Sequence, residues 1–461
     1  MIGRLSVTAA AALALAGCSL APPYQRPAAP VPPAFPQGDA YPAPAAGVSP
    51  SVPYRDLFRD ARLQTLIAQA LDNNRDLRVA AANLAAARAQ VRVTRSAQFP
   101  AVGASAAASY TKGQGDSYAL QGGVSSFELD LFGRLANATA AEREQALASE
   151  AAARTVRIGL VADLANTWLT YALDRDLLAI AQDTAANAAK AVDLTRLRLN
   201  GGIAPRTDLR QAEQVLETAQ GDVAEQKTAL AQDENLIRLL VGAEYDRSLL
   251  PAGLAEIDGE FTALAPGTSS DVLLLRPDVE QAEHLLKAAN ADIGVARAEL
   301  FPHISLTGLL GLASNALGSL FTGGAFTATA GADAAYTIFD AGGRRASVAV
   351  SEAQRDAALA TYEKAIQTAF REVSDVLAVR GTIGDRLAAA RANTAAAADT
   401  ARLSDARYRE GIDSFLSSLD AQRSLYTARR QEAAVTEGSL ENLVELYRAL
   451  GADRFTAQPG S

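Results

Sequence analysis

The chain has 461 residues, 49% of them hydrophobic and 21% charged, with a formal net charge of −9 and a mean hydropathy of +0.02. That is enough apolar material for a large core, but far from the hydropathy of a protein with several spanning helices. After the first twenty residues there is no run of about 18 uncharged apolar residues, so no spanning helix is expected. The acidic balance argues against nucleic acid as a partner, because phosphate binding needs a basic surface that releases counterions.

Residues 1–17 read as an export signal: Arg4 supplies the positive end, Val7 to Ala16 the apolar stretch, and small residues lead into Cys18. Cys18 is the sole cysteine, so no disulfide can form within the chain. With only two histidines, His284 and His303, no metal centre is expected. Leu15-Ala16-Gly17-Cys18 resembles the bacterial lipobox. That resemblance implies that Cys18 becomes the first mature residue and carries acyl chains, several of which anchor stably where one binds reversibly. This covalent lipid is the only prosthetic group expected. The alternative is that Cys18 is an idle residue of a discarded peptide. Ser19 stands where an aspartate would, by resemblance to the bacterial sorting rule, favour retention at the inner membrane, so the outer membrane is the expected address.

Eleven of the 18 prolines fall between Pro22 and Pro53, and residues 18–53 are expected to form an extended tether that neither makes a helix nor packs a core. Beyond it the chain repeats. Phe99-Pro100 is answered 202 residues later by Phe301-Pro302, and Asp130 with Gly133-Arg134 is answered 210 residues later by Asp340 with Gly343-Arg344. The expected organisation is a first repeat over 54–242, a connecting segment over 243–270, a second repeat over 271–451 and a tail over 452–461. Each repeat reads helix, two strands, very long helix, turn, helix.

From Gly133 to Asn200 there is no proline and the composition favours helix, which at about 1.5 Å per residue gives roughly 100 Å. Ile158, Val161, Ala165, Trp168 and Ala172 follow the three-four spacing of a coiled-coil seam, and Leu160, Leu164 and Tyr171 lie on a neighbouring face. Two seams suit a helix with a neighbour on each side, as in the wall of a tube; a buried helix in a bundle gives the same pattern. Gly201-Gly202 and Gly411 are expected to stop the long helices through left-handed backbone.

Four segments alternate. Val102 to Thr111 places Val102, Ala104, Ala106, Ala108 and Tyr110 on one side; Phe326 to Ile338 places Phe326, Ala328, Ala330, Ala332, Ala334, Tyr336 and Ile338 on one side. Ile304, Leu306, Leu310 and Leu312 form a third row. Near Tyr118 to Leu131 the phase reverses between Val124 and Phe127, and Gly122-Gly123 marks the expected bulge. Ten to 13 residues suffice for a tilted strand to cross a bilayer, although a soluble sandwich edge alternates in the same way. Four strands cannot close a barrel, and in lipid an open edge leaves backbone groups unsatisfied. Three copies would give twelve strands and a passage, whereas two would give a filled eight-stranded barrel.

Taken together, Asn74-Arg75-Asp76-Leu77, the two Phe-Pro pairs, Phe127 to Arg134, Leu275-Arg276-Pro277-Asp278-Val279, Ile338 to Arg344, Leu419 to Leu425 and Leu446 to Gly451 resemble the TolC-type outer-membrane factor family, in its lipoprotein branch. The resemblance covers essentially the whole mature chain. Departures, such as Ala61 where the family often has proline and Ala452 in place of a second glycine, blur the subfamily. The resemblance implies an α+β membrane protein: a trimeric twelve-stranded outer-membrane β-barrel, four strands per chain, continued by a long α-helical barrel in the periplasm. It implies a closed tip at the turns near Gly201, Gly202 and Gly411, and a periplasmic gate at Leu416 and Asp420, with Asp413 and Asp208 as weaker tip acids. Three leucines would form an apolar plug and three aspartates a negative ring; an ordinary solvated carboxylate is the competing account of Asp420.

The implied function is a passive exit duct of a tripartite efflux pump, with a homotrimer, a periplasmic adaptor, an inner-membrane transporter and outer-membrane lipid as partners. No enzyme is expected: Gly-x-Ser-x-Gly, His-Glu-x-x-His and a phosphate loop are all missing from the sequence. Two competing classes are the periplasmic adaptor, which also carries long hairpin helices, and a coiled-coil surface lipoprotein, for which amphipathic strands would have no use.

Overall fold

The computed structural model describes residues 19–42, 53–113, 115–257, 259 and 269–451. The export signal, Cys18, residues 43–52, most of the connecting segment from 258 and the tail from 452 lie outside them. Among the described residues no helix is long and apolar enough to cross a membrane.

After a single helical turn at Tyr54–Leu57, the main elements are α1 (Ala61–Asn73), α2 (Arg75–Ser96), β1 (Val102–Thr111), β2 (Gly115–Glu128), α3 (Arg134–Asn200), α4 (Arg206–Val241), α5 (Pro277–Ala298), β3 (His303–Ser314), β4 (Phe326–Ala335), α6 (Gly343–Arg409) and α7 (Phe415–Leu450). The order helix, strand pair, 67-residue helix, 36-residue helix occurs twice. The long helices start alike: Asp130 accepts from the Ala136 amide at 2.7 Å and Asp340 from the Arg344 amide at 3.0 Å, each satisfying a first-turn N–H that has no intrahelical partner. They also stop alike. Gly202 (φ 72°) and Gly411 (φ 75°) take the left-handed backbone, so that Ile203 N–H returns to Arg198 O and Ile412 N–H to Arg407 O.

The chain separates into two compact units. One comprises residues up to Ala29, Ala81–Ala152 and Asp278–Ala365; the other comprises Pro30–Ala80, Ala153–Pro277 and from Ile366 onward. The second unit holds most of the largest fully buried side chains. Trp168, Leu164 and Leu169 of α3, Leu63, Leu66 and Ile67 of α1, Ile237 of α4 and Tyr447 of α7 are fully buried. Trp168 donates its indole N–H to Leu249 O at 3.0 Å, which satisfies the one polar atom of that ring. All eight residues of the two expected seams on α3 are buried.

In the first unit the four strands form one antiparallel sheet in the order β1-β2-β3-β4. Its register collects the apolar positions on one face, in cross-strand rows Ala104, Gly122, Leu310, Ala328 and Ala106, Leu120, Leu312, Phe326. The other face carries the rows Ser105, Gln121, Gly311, Thr327 and Glu128, Ser305, Asp333. Every residue of β1 is exposed, and β1 and β4 are open edges.

Three expectations change. The irregularity in β2 is not at Gly122-Gly123 but between Val124 and Phe127, where Ser126 takes φ 57°. The extra residue flips the phase and returns Phe127 to the apolar face opposite Leu306, the cause of the reversal seen in the sequence. β2 ends at Glu128 rather than near Leu131, and β4 ends at Ala335 rather than Ile338. Residues 19–42 of the tether form no helix and turn at Gly38–Tyr41, but they pack. Within the first unit, Pro22 O accepts from Asn290 at 2.7 Å, and Arg26 and Tyr24 converge on buried Glu283, with Arg26 at 2.7 Å and Tyr24 at 3.1 Å. Within the second, Ser270 donates to Pro32 O at 2.6 Å and Phe35 stacks on Phe370 at 5.4 Å between centroids. Proline removes donors from a segment but leaves its carbonyls, and side chains from elsewhere in the chain use them as acceptors.

Candidate functional site

The two helix turns and the segments that meet beside them lie in the second unit. Gly202 and Gly411 make the left-handed stops; Gly201 does not, and its N–H instead returns to Leu197 O at 3.0 Å. A small apolar core joins the two hairpins there: Val192, Leu209, Ala212, Tyr408, Phe415 and Leu419 are buried together. Phe415 and Tyr408 pack ring to ring at 5.3 Å.

On α7 the buried residues Phe415, Ser418 and Leu419 define the face turned to this core. Leu416 is 51% exposed and Asp420, one turn on, is exposed. At a spacing of four the two share one helix face, away from the core. Asp413 behaves differently: its carboxylate binds Arg407 at 2.6 and 3.0 Å, and the guanidinium hydrogen bonds hold it below the usual carboxylate range. It braces its own turn. Asp208 sits in the first turn of α4, where a negative charge suits the helix dipole.

Sequence reading missed the residues that connect the hairpins. The Arg198 guanidinium lies 4.4 Å from the Tyr408 ring centroid and donates to Arg409 O at 3.1 Å, a carbonyl at the end of α6 that the helix leaves unpaired. Further along, Tyr426 of α7 donates to Asp222 of α4 at 2.6 Å, and burial, followed by that carboxylate, pushes the Tyr426 phenol up to about 12. The repeat did contain a signal: Arg198 and Arg407 stand four residues before Gly202 and Gly411 respectively.

Elsewhere in this unit three carboxyls from three helices face one another. Asp233 of α4 is pushed up to about 7 by burial and then by the neighbouring Asp174 of α3; Glu437 of α7 is pushed up to about 7 by burial and then by Glu441 and Asp174. In the first unit His303 opens β3, with Nδ1 3.5 Å from Glu128 Oε1.

Residues 66–243 and 268–452 match the model of the family described as Outer membrane efflux protein. The probable efflux pump outer membrane protein TtgC of Pseudomonas putida is 43% identical, over 98% of this chain and 96% of that protein. The cation efflux system protein CusC of Escherichia coli O157:H7 is 38% identical, over 95% and 96%. Among solved structures, the open state of the MtrE outer membrane channel of Neisseria gonorrhoeae superposes with a TM-score of 0.86 at 32% identity, covering 95% of this chain and all of that one. The fold class is that of these channels: α+β, with four strands per chain toward a trimeric twelve-stranded barrel and long helices for its periplasmic continuation. The adaptor and surface-lipoprotein readings are thereby set aside. The chain belongs to the outer membrane efflux protein family and is an outer-membrane channel subunit of an efflux pump, reaching into the periplasm.

Proposed function

We propose that three copies form a passive exit duct, closed at the turns by Leu416 and Asp420 and opened when a periplasmic adaptor and an energised inner-membrane transporter engage the tip. The observation that carries this reading is the exposed pair itself. An apolar side chain and a carboxylate sit one turn apart on the one face of α7 that its own core leaves free. Around a threefold axis the leucines make an apolar constriction and the aspartates a charged ring. Gly202 and Gly411 give the turns their compact form, with Gly201 completing the last turn of α3. Asp413 holds the second turn rather than facing the passage.

The duct performs no reaction and uses no cofactor; the covalent lipid on Cys18 anchors it. Its cargo is chosen elsewhere in the pump. Relatives of 43%, 43% and 38% identity are named for toluene, an antibiotic and a cation, and the polar face of this sheet carries Ser, Thr, Gln and Gly with the scattered acids Glu128 and Asp333, a lining suited to passage more than to selection.

The test is single-channel conductance of the purified protein in planar bilayers. Leu416→Ala and Asp420→Ala should each raise conductance from the periplasmic side, and the double variant more; unchanged conductance in all three would place the constriction elsewhere. Labelling with radioactive palmitate, lost in Cys18→Ser, tests the anchor.

A further inference from the structure

We infer that the cavity between α3, α6 and α7 in the second unit, beside the helix turns, is a binding site for an elongated organic carboxylate with an apolar body. The cavity is walled by one chain, so the site stands independently of the threefold closure proposed above.

The three helices leave about 350 Å3 between them. Small side chains create the gap: Ala191 of α3 and Ala398 and Ala401 of α6 line it, while the Tyr408 and Phe415 rings at the turns and Tyr426 further along α7 keep the backbones apart. On α3 the lining runs from Thr184 to Leu194, which at about 1.5 Å per residue gives a slot roughly 15 Å long. A cavity of that volume, with apolar walls and a few polar groups, suits a small organic molecule. Its wall at the turn end is shielded from water, since Ala401, Phe415 and Ser418 are all buried.

Tyr408 supplies the polar anchor. It is 7% exposed, it lines the cavity, and its hydroxyl has no hydrogen-bond partner among the described residues. The ring is held in place, with Phe415 packed at 5.3 Å and the Arg198 guanidinium over its face at 4.4 Å, so the hydroxyl cannot swing to another acceptor. A buried hydroxyl left unpaired is costly, and a ligand oxygen in the cavity relieves that cost. Charge selects the sign of the ligand. Lys190, Arg402, Arg409 and Arg429 line the cavity against one carboxylate, Asp405, which Arg409 already holds at 2.7 Å. Arg402 is held by Asp399 at 2.6 Å, whereas among the described residues Lys190 and Arg429 are in no ion pair. Val192 packs in the same small core as Tyr408, which brings Lys190, two residues before it, to the level of that ring. A carboxylate at this level accepts from the Tyr408 hydroxyl and faces the Lys190 ammonium, while its apolar body runs along Ala191, Ala401 and Leu425. A ligand held this way touches α3 of one hairpin and α6 and α7 of the other, and so favours the spacing of the hairpins seen here.

The experiment is isothermal titration calorimetry of the full-length protein in a nonionic detergent, with phenylbutyrate as the probe and uncharged phenylbutyramide as its control. The carboxylate should bind saturably, once per chain, and at least about tenfold more tightly than the amide. Tyr408→Phe keeps the ring and removes only the hydroxyl. It should weaken binding about tenfold, yet leave the thermal midpoint without ligand unlowered, because no internal hydrogen bond is lost. Ala191→Leu fills the slot from a partly exposed position and should abolish binding. Equal binding of the amide overturns the selection for an anion, and binding unchanged in both variants overturns the location. No binding to the parent protein overturns the site itself. A lowered midpoint in Tyr408→Phe would show that the hydroxyl already has a partner, and removes the anchor.

Discussion

Arg198 and Tyr408 belong to different hairpins, and a single guanidinium both covers the Tyr408 ring at 4.4 Å and caps the end of α6 by donating to Arg409 O. This couples the turn that ends α3 to the turn that precedes Leu416. Cation–π contacts at partly exposed sites are worth about 1 kcal/mol, enough to shift an open-to-closed ratio roughly fivefold. Arg198→Ala should therefore raise open probability in planar bilayers by about that factor. Arg198→Lys keeps the charge but loses the planar fork, and should fall between the two. Equal open probability in all three proteins would mean that the contact holds the turn without bearing on the passage.

The carboxyl group of Asp233 and that of Glu437 set a second expectation, and its sign runs against the usual acid denaturation. Both groups are pushed up to about 7 from ordinary values near 4, chiefly by burial, so between those limits the folded chain holds protons that the unfolded chain has released. The stability they contribute is complete below about pH 4 and is lost as pH rises through about 7. These groups are only partly shielded from water, so the effect is on the order of 1 kcal/mol after screening. Asp233→Asn with Glu437→Gln should raise the thermal midpoint at pH 8 and leave it nearly unchanged at pH 4, measured in detergent by circular dichroism. An equal rise at both values would show that repulsion among Asp174, Asp233 and Glu437 is not what the substitutions relieve.

Much of this architecture is legible in sequence because it is local. A 67-residue helix needs an unbroken run of helix formers and a left-handed stop, and both are visible between Gly133 and Gly202. Strand alternation is equally local, and the phase reversal in β2 signalled a bulge. Its position was misread because Gly122-Gly123 carries the stronger turn signal, while the backbone actually turns left-handed at Ser126. The packed tether was illegible for a different reason. Its contacts join residues more than 100 positions apart, such as Ser270 with Pro32 and Ser19 with Asn137, and no periodicity reports them. At the turns, the glycine stops could be read, and Leu416 and Asp420 came from family resemblance. The Arg198–Tyr408 contact, 210 residues apart in sequence, required coordinates.

The packed tether leads to the last prediction. Glu283 is buried and serves Arg26, Tyr24 and Lys287 at once, with Lys287 at 3.0 Å. Neutralising it removes two charge-assisted hydrogen bonds from Arg26 and leaves a buried amide with poorer acceptors, a loss of roughly 1–3 kcal/mol. In the other unit Gly381 of α6 lies directly under the tether, and a Cβ at that position would overlap the Ala40 carbonyl, a backbone group that cannot simply rotate away. Glu283→Gln should therefore release residues 19–29 and Gly381→Val residues 38–42, each seen as faster amide hydrogen exchange confined to that stretch. If the tether were passive cover, both variants would exchange like the parent protein; if it were essential to the fold, exchange would quicken throughout α5 and α6 as well. Local release with intact helices is the expected outcome, because the Phe35–Phe370 stack and the Ser270 hydrogen bond to Pro32 remain as independent attachments between the two altered points.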